Sequence, residues 1–378
     1  MKLLDRYLLR NFLEPFAICF VGFIAIWLVF DLAGNLQDFI EAHSSLKQIA
    51  RFYATQLPQV IVISLPVGLL LALLFSLSRM SRSNEIISML TAGRSVMRLL
   101  VPHILIGLLA TIACLALNYE WAPHSEAVKK VALEQITRGK KSDADTIEAH
   151  VFRDRQNDRT WFVRKLRAHS PSLDDVHITQ QDREGRILTK WYAKRAIYDA
   201  RDRSWTLKRG MRVDFTLEGD IAKTDHFPAD FRTITGWTET PWRIASSSLE
   251  PQNLSIPELH DYLRHNDDFP PVQLAPYNSY LQHRWAFPWQ CFVVVLVGAP
   301  LAIVFSRRGV IGGVAAAMCL YSILLLSTYL FLALGKGYRL SAALAAWSPN
   351  AGFALIGLVL LHFRSTNRDL PHLWFFKK

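Results

Sequence analysis

The histidines are the side chains in this sequence that most suggest a metal or acid–base role, because several stand in the polar middle of the chain. These residues are His124, His150, His169, His177 and His226. None follows the H-x-x-x-H or H-E-x-x-H spacing that brings two imidazoles onto one helix face. The sequence therefore predicts no metal site and no cofactor held by this chain.

Motifs for nucleophilic or nucleotide chemistry are missing as well. The sequence has no G-x-S-x-G elbow and no defensible Ser/His/Asp set. Gly139-Lys-Lys-Ser142 lacks the preceding glycine spacing of G-x-x-x-x-G-K-[ST]. Glu14, His103 and Glu120 stand near the ends of apolar stretches and look like interfacial residues rather than a catalytic dyad. We therefore predict no catalytic residue and no enzymatic activity in this chain.

The composition explains why the sequence contains so few candidate catalytic or metal-binding residues. Hydrophobic residues make up 51% of the 378 residues and charged residues only 20%, with the charges concentrated between about 122 and 283. The cysteines, Cys19, Cys114, Cys291 and Cys319, all lie in apolar stretches, so no disulfide framework or zinc site holds the polar part. A net charge of +11 is also reached by a membrane protein with basic cytoplasmic loops, and we do not expect nucleic-acid binding.

Six stretches are long and apolar enough to cross a bilayer core, which takes about 20 residues per helix. They are Asn11–Phe30, Leu57–Leu77, Leu99–Tyr119, Trp285–Phe305, Val310–Leu334 and Ala342–Phe363. An even number of spans returns the chain to its starting side. The first stretch could instead be a signal peptide, but it is long and no A-x-A-like cleavage site follows it.

The distribution of basic residues predicts the orientation of these spans. One set of connections is rich in Lys and Arg: Lys2, Arg6, Arg10, Arg79, Arg82, Arg94, Arg98, Arg307, Arg308, Arg364, Arg368, Lys377 and Lys378. The opposite short connections hold only Lys47, Arg51, Lys336 and Arg339. By the positive-inside rule both termini are cytoplasmic, and the polar middle of the chain lies outside the membrane on the other side.

That polar middle is predicted to be an all-β domain. Alternating segments separated by turn-rich pieces are typical of an antiparallel sandwich or roll. The segments are Thr160–Leu166, Asp175–Gln180, Ile187–Ile197, Ser204–Arg209 and Met211–Leu217. A polar helix over about 125–138 precedes them, and a helix starting at the capping box Ser255 to Glu258 follows. We divide the chain into 1–121 with three spans, 122–283 with the β domain and its helical connectors, and 284–378 with three spans and a tail.

The most informative short segment joins the second and third spans, at about 83–93. Ser83 can cap a helix, Glu85 stands in its first turn, and Gly93 can end it. Ile86, Met89, Leu90 and Gly93 recur with helical spacing and form one apolar face. Such a short helix is marginal alone. It fits equally a groove in a cytoplasmic partner, with Glu85 pairing a basic residue there, or the lipid headgroups.

Four motifs in order resemble the YjgP/YjgQ permeases, the LptF/LptG family. They are Leu4-Asp-Arg-Tyr-Leu, Ser83-Asn-Glu-Ile-Ile-Ser-Met-Leu-Thr-Ala-Gly-Arg-Ser, Glu120-Trp-Ala-Pro123 and Trp347-Ser-Pro-Asn350. Six spans with one β domain after the third match as well, so the resemblance covers nearly the whole chain. The first and third motifs favour the LptG branch, without deciding between the LptF-like and LptG-like partner.

The resemblance implies an α-helical membrane protein of the bacterial inner membrane with a periplasmic jelly-roll-like domain. It implies a half-transporter that pairs with a second permease and an LptB-like ATPase dimer, which alone uses ATP and Mg. The assembly would extract lipopolysaccharide from the inner membrane and pass it through LptC to an LptA-like bridge. The loop containing Glu85 resembles the helix that docks on the ATPase.

Further site residues follow from that resemblance. The cargo cavity would open sideways between the first span of one permease and the fifth of the other, although each aromatic could equally be an ordinary packing residue. Its candidate lining is Phe20, Phe23, Trp27, Phe30, Tyr321, Leu325 and Tyr329. Candidate phosphate contacts, or else a solvated helix face, are Lys129, Lys130, Arg138, Lys140 and Lys141.

One departure and one competing hypothesis remain. LptG relatives place lysines near the outer end of the first span, where this chain has Asp31, Asp38 and Glu41. The competing hypothesis is a membrane-anchored envelope sensor or scaffold whose periplasmic β domain binds a protein. The lipid-A variant and direct pairing of the β domain with LptC stay open.

Overall fold

The computed structural model describes residues 3–138, 146–154, 157–167, 170–246, 250–267, 269–303 and 309–366. The helices are α1 Leu3–Glu41, α2 Leu46–Arg82, α3 Glu85–Thr91, α4 Val96–Tyr119, α5 Trp121–Arg138, α6 Pro241–Ser246, α7 Ile256–His265, α8 Pro271–Ala286, α9 Gln290–Ala302, α10 Gly309–Lys336 and α11 Ala342–Ser365. The strands are β1 Thr146–Asp154, β2 Arg159–Arg167, β3 Ser172–Gln181, β4 Ile187–Asp199, β5 Ser204–Phe215 and β6 Ile221–Thr235. They form two compact units, one of membrane-type helices and one built around the sheet.

Within the described residues, six helical segments are long and apolar enough to span a membrane, which confirms the six predicted spans. They are α1, α2, α4, the α8–α9 pair, α10 and α11. Burial within the unit differs greatly among them. In the most apolar window of each segment, 72% of α2 and 78% of α8–α9 is buried, but none of α1 and only 28% of α10. The centre of this unit is therefore α2 and α9, and α1 and α10 present the most uncovered apolar surface.

The fourth span is interrupted near the start of its apolar stretch. A short 3-10 turn, Phe287–Trp289, contains Pro288 and separates α8 from α9. Side chains from neighbouring helices supply donors to carbonyls at the break: Asn118 Nδ2 donates to the Arg284 carbonyl at 2.7 Å, and Asn350 Nδ2 to the Ala286 carbonyl at 2.6 Å. A break at membrane depth persists where neighbours pair the freed backbone groups. The Trp347-Ser-Pro-Asn350 motif thus has a structural role.

The β unit is a six-stranded antiparallel sheet in the order β1-β2-β3-β4-β5-β6. Every strand pairs with its neighbour in sequence, so the predicted all-β domain is confirmed and has a meander strand order. Side chains from one face of the strands form the core together with α6. This core contains Phe152, Trp161, Val163, Leu166, Leu173, Val176, Ile178, Ala193, Ala196, Trp205, Leu207, Phe227, Ile244 and Ala245.

Two details of the sheet differ from the sequence prediction. The segments Ser204–Arg209 and Met211–Leu217 belong to one strand, β5, which continues through Gly210. The register with β6 shifts at this point, Arg209 has a φ of +52°, and a Cβ on Gly210 would collide with the Tyr192 carbonyl oxygen. Glycine therefore marks a bulge inside a strand rather than a turn between two strands. The outer strands, β1 and β6, were not predicted.

A buried ion pair closes one end of the sheet's core. Arg159 Nη1 donates to both carboxylate oxygens of Glu239, at 2.8 and 2.7 Å, and Trp161 Nε1 donates to one of them at 3.2 Å. The Arg159 guanidinium also lies over the Trp237 ring, 4.4 Å from its centroid. A charged group that is buried away from water needs this many partners, because an unpaired buried charge is strongly destabilising.

The predicted helix after the β domain is confirmed, with its capping box. The Ser255 amide and hydroxyl both donate to Glu258 Oε2 at 2.8 Å, and His124 Nε2 of α5 donates to the same oxygen at 2.9 Å. This bond raises the pKa of His124, against the lowering effect of its burial. Burial alone would raise the pKa of Glu258, but the bonds from His124 and Ser255 outweigh it and lower the pKa to about 2.

These opposite shifts predict a pH window for the α5–α7 contact. The contribution of His124 is present below its unfolded pKa of about 6.5 and is lost as the pH rises through its raised folded pKa. The contribution of Glu258 is present above its ordinary 4.5 and is lost as the pH falls towards 2. Amide exchange in the first turn of α7, corrected for intrinsic rates, should therefore show more protection at about pH 6 than at about pH 8.5.

The variant His124→Gln should remove that difference, and His260→Gln, which changes an exposed histidine of the same helix, should keep it. Equal protection of wild-type α7 at both pH values would contradict this account of the contact.

Candidate functional site

The short helix predicted at about 83–93 is present as α3, Glu85–Thr91. Its cap differs from the prediction. Ser83 ends α2, with its backbone N–H donating to the Arg79 carbonyl at 3.1 Å, and Asn84 precedes α3 with a φ of +59° and no side-chain cap. Ser83 could not cap α3, because its backbone already terminates the preceding helix. Gly93 has a φ of +79°, as expected of a residue that ends a helix.

The apolar face of α3 is covered by the chain's own membrane helices. Ile86 is buried at 2% exposure in their core, and Met89 and Leu90 pack against the same core. The opposite edge is polar and exposed, with Asn84, Ser88 and Thr91 at helical spacing. The three apolar residues thus anchor α3, and its exposed edge is the part accessible to another molecule.

Two contacts from the beginning of α1 hold α3 and the start of α4. Arg98 Nη2 donates to both carboxylate oxygens of Asp5, at 2.8 and 2.9 Å, in a half-buried pair. The Tyr7 hydroxyl donates to Glu85 Oε2 at 2.8 Å, and the Ser83 hydroxyl donates to Glu85 Oε1 at 2.8 Å. We call Asp5, Tyr7, Glu85 and Arg98 the opening clamp.

The contact between the Leu4-Asp-Arg-Tyr motif and the 83–95 loop was not predicted. Each motif was used only as a separate sign of resemblance to the permease family. The available signal was charge: Asp5 and Glu85 are the acids in two otherwise basic segments at the predicted cytoplasmic side. An acid in such surroundings is expected to pair with a neighbouring cation or donor.

The predicted basic cluster is described at one position, Lys129. Its Nζ lies 2.6 Å from Asp31 Oδ1, and the two side chains are 25% and 13% exposed. Asn35 Nδ2 also donates to Asp31 Oδ2 at 2.9 Å. The side chains of Lys130 and Arg138, and the whole of Lys140 and Lys141, lie outside the described part of the chain. Asp31, one of the acids that stand where relatives have lysines, is thus the ion-pair partner of Lys129.

The four aromatics predicted on the first span have different surroundings. Phe20 stacks on Phe16 at 5.4 Å and faces Gly68 of α2. Trp27 packs edge-on against Tyr53 at 6.0 Å, and Phe23 is half-buried. Phe30 is 75% exposed. Packing against α2 therefore accounts for Phe20 and Trp27, whereas no described residue explains the exposure of Phe30.

The three residues predicted on the fifth span divide in the same way. Tyr321 is buried at 7% exposure in the helical core, and Leu325 packs against that core. Tyr329 is 57% exposed. Phe30 on α1 and Tyr329 on α10 thus belong to the two least buried spans, the helices expected to form a lateral gate.

No metal-type cluster of three or more His, Cys, Asp or Glu side chains occurs among the described residues. His169 and the segment Gly139-Lys-Lys-Ser142 lie outside those residues. The candidate site is therefore a set of contact surfaces: the exposed edge of α3, the opening clamp behind it, and the uncovered faces of α1 and α10.

Comparison with known proteins identifies the family of this chain. The family model described as "Lipopolysaccharide export system permease LptF/LptG" matches residues 6–362. The lipopolysaccharide export system permease protein LptG of Haemophilus influenzae is 21% identical over 266 residues, covering 69% of this chain and 70% of that protein. The protein of the same name from Escherichia coli K12 is 20% identical over 367 residues, covering 96% and 98%. Since the match covers nearly the whole chain, from residue 6 to residue 362, this chain belongs to the LptF/LptG lipopolysaccharide export permease family.

Proposed function

We propose that this chain is the permease subunit of an ATP-driven exporter that extracts lipopolysaccharide from the inner membrane and delivers it towards the outer membrane. Its partners are an LptB-like ATPase dimer, a second LptF/LptG-type permease, LptC and an LptA-like bridge. The observation that carries the proposal is the opening clamp, which ties a small helix with an exposed polar edge to the first membrane span. The ATPase supplies the nucleotide chemistry, with ATP and Mg.

The proposal implies one orientation of the chain in the inner membrane. Both termini and α3 lie in the cytoplasm, and the β domain lies in the periplasm. The basic residues that support this include Arg79, Arg82, Arg94 and Arg98 around α3. Other residues used for the same rule, Lys2, Arg307, Arg308, Arg368, Lys377 and Lys378, lie outside the described residues.

The coupling step follows from how α3 is anchored. The ATPase contacts the exposed edge at Asn84, Ser88 and Thr91, together with Glu85, while Ile86 holds the helix in the membrane core. Motion imposed on α3 then passes to α1 directly through the Tyr7–Glu85 bond, and indirectly through the start of α4 by the Asp5–Arg98 pair. α1 is also the span with the least buried apolar window, so that window is open to lipid or to a second subunit.

The cargo path is formed by the uncovered faces of α1 and α10. In the assembly, α1 faces the fifth span of the second permease, and α10 faces the first span of that permease. Exposed Phe30 and Tyr329 face the acyl chains. An apolar path is required, because each buried CH₂ of an acyl chain contributes about 0.8 kcal/mol to its retention in the bilayer. The outer strands, β1 and β6, have edges that no other described strand pairs, which suits them to strand addition by LptC or LptA-like partners.

Lys129 is the proposed phosphate contact, and Asp31 regulates it. In the structure the lysine is neutralised by the aspartate at 2.6 Å. A lipid phosphate must compete with that carboxylate, so Lys129 binds cargo when the pair opens. This arrangement replaces the α1 lysines of LptG relatives with a cation supplied by α5.

The coupling proposal is tested by ATPase activity in liposomes containing lipopolysaccharide, after co-purification with the LptB-like ATPase and the second permease. Glu85→Gln keeps an oxygen that accepts from Tyr7 but removes the charge. We expect stimulated ATPase activity to fall by about tenfold, the effect of losing one charge-assisted hydrogen bond. The matched control is Glu14→Gln, an exposed acid of α1 outside the opening clamp, with activity close to wild type.

Failure of the wild-type chain to retain any ATPase, in detergent or nanodiscs, would remove the energy source and favour the sensor or scaffold hypothesis. Equal activity of Glu85→Gln and wild type would contradict a charged contact at α3 while leaving the transporter assignment in place.

The phosphate contact is tested by lipopolysaccharide binding to the purified complex. Asp31→Asn should free Lys129 and tighten binding by about fivefold, because a partly buried ion pair contributes about 1 kcal/mol. Lys129→Gln should weaken binding, and the double variant should behave like Lys129→Gln. Asp38→Asn, on the same helix, serves as the control. Weaker binding by Asp31→Asn would show that the aspartate supports, rather than opposes, the contact.

A further inference from the structure

One face of the six-stranded sheet has a row of aromatic and apolar side chains that crosses every strand. Phe162 of β2 lies opposite His177 of β3, and His177 lies opposite Tyr192 of β4. Their rings are neighbours, with centroids 5.6 Å apart for Phe162 and His177 and 4.9 Å apart for His177 and Tyr192. The full row, which we call the exposed stripe, is Val151, Phe162, His177, Tyr192, Met211 and His226.

The exposed stripe faces away from the core of the β unit. Its sequence neighbours Val163, Val176 and Ala193 are buried in that core, and successive side chains of a strand point to opposite faces. Val151 is 58% exposed and Phe162 is 38% exposed. A contiguous apolar patch of this kind on a folded domain is typical of an interaction surface.

A row of charged side chains runs beside the exposed stripe. In each of β2 to β5, two consecutive residues interrupt the alternation of inward and outward side chains. The strand pairing skips one residue of each pair, which makes a line of aligned bulges across the sheet. Every residue of these pairs is charged, and together they form what we call the charged row: Arg164, Lys165, Asp174, Asp175, Lys194, Arg195, Lys208 and Arg209.

The backbone of the charged row is strained. Asp175 and Arg209 have φ values of +49° and +52°, a region that side chains other than glycine rarely adopt. Residues held in such conformations cluster at binding and switch sites, where the strain is retained for function. The bulges therefore indicate that the position of these charges matters.

The charged row has an excess of cations on β4 and β5. Its two acids are paired with arginines, Asp174 with Arg195 at 3.1 Å and Asp175 with Arg164 at 3.3 Å. A pocket of about 430 Å³ opens between β3, β4 and β5 at this level of the sheet. Three cations that line it form no ion pair with a described residue: Lys194, Lys208 and Arg209.

We propose that the exposed stripe and the charged row together bind an acidic amphipathic helix of a partner protein. Apolar side chains of the helix pack on Phe162 and Tyr192, and its carboxylates pair with the three cations. Successive outward-facing positions on a strand are about 7 Å apart, and a helix is about 10 Å across, so one helix reaches both rows. From β1 to β5 the stripe is about 19 Å long, the length of about 13 helical residues.

The charge pattern favours a protein over an anionic lipid surface. Asp174 and Asp175 stand within the charged row, where lipid phosphates would repel them. A helix can place its carboxylates opposite the cations of β4 and β5 and leave the acids of β3 unopposed. The surface is also separate from the edges of β1 and β6, because it lies on the face of the sheet.

Peptide binding to the full chain tests the proposal without any transport assay. A labelled helical peptide of about 14 residues, with leucines on one face and glutamates along the adjoining edge, is titrated with protein in phosphatidylcholine nanodiscs. Anisotropy reports binding, and empty nanodiscs give the lipid background. We expect binding to weaken at least about fivefold when the peptide's glutamates are replaced by glutamine or its leucines by serine. Since the protein is unaltered, a folding defect cannot produce this difference.

Variants of the chain assign the two parts of the surface. Lys194→Gln/Lys208→Gln should weaken binding by about fivefold and remove most of its dependence on salt, because exposed ion pairs are weak and screened. Phe162→Ser should weaken binding by about tenfold and keep the salt dependence. The matched control Arg183→Gln/Arg201→Gln removes the same charge from exposed turns of the sheet and should bind like wild type.

Several outcomes would overturn the proposal. They are absence of peptide binding by wild type, equal losses in the two double variants, and unchanged binding by Phe162→Ser. Displacement of the peptide from wild type by phosphatidylglycerol vesicles, but not by phosphatidylcholine vesicles, would assign the face to a lipid surface instead.

Discussion

The ion pair between Asp5 and Arg98 is the contact on which the functional arrangement depends. It fixes the beginning of α1 against the first turn of α4 and thereby confines α3, which joins α2 to α4. A helix of seven residues has little stability of its own, so its position must come from such contacts and from the burial of Ile86. Without this pair, α3 would remain attached to the bundle, but its connection to α1 would depend on the Tyr7–Glu85 hydrogen bond.

The same principle governs the membrane interior, where each polar group needs a protein partner. Asn118 and Asn350 donate to carbonyls at the broken fourth span, and Gln290 donates to Thr328 at 3.0 Å. These bonds join the fourth span to α4, α10 and α11. Rigidity is therefore concentrated there, whereas α1 and α10 keep uncovered faces. A stable centre with two uncovered spans is an arrangement suited to a lateral opening.

Much of the fold was predictable because long apolar runs and alternating strands are strong local signals. The limits appear where a pattern has two physical explanations. Gly210 separates two predicted strand segments but marks a bulge inside β5, and β1 was not predicted because adjacent Val151 and Phe152 are both apolar, one exposed and one buried. The helical spacing of Ile86 and Met89 predicted an apolar face on α3. It could not show that this face is covered by the chain's own core rather than by a partner. Pairs such as Asp5 with Arg98 are separated by 93 positions and are determined by tertiary packing.

The central claim is that the opening clamp transmits motion from α3 to α1, and exchanging its charges tests this most directly. Lipopolysaccharide release and ATP hydrolysis would be measured together in liposomes for Asp5→Arg, Arg98→Asp and the double exchange. The account predicts that each single variant hydrolyses ATP with little release of lipopolysaccharide, and that the double exchange restores release towards wild type. Release that is normal in both single variants, or that the double exchange leaves no better than in the worse of them, would contradict it.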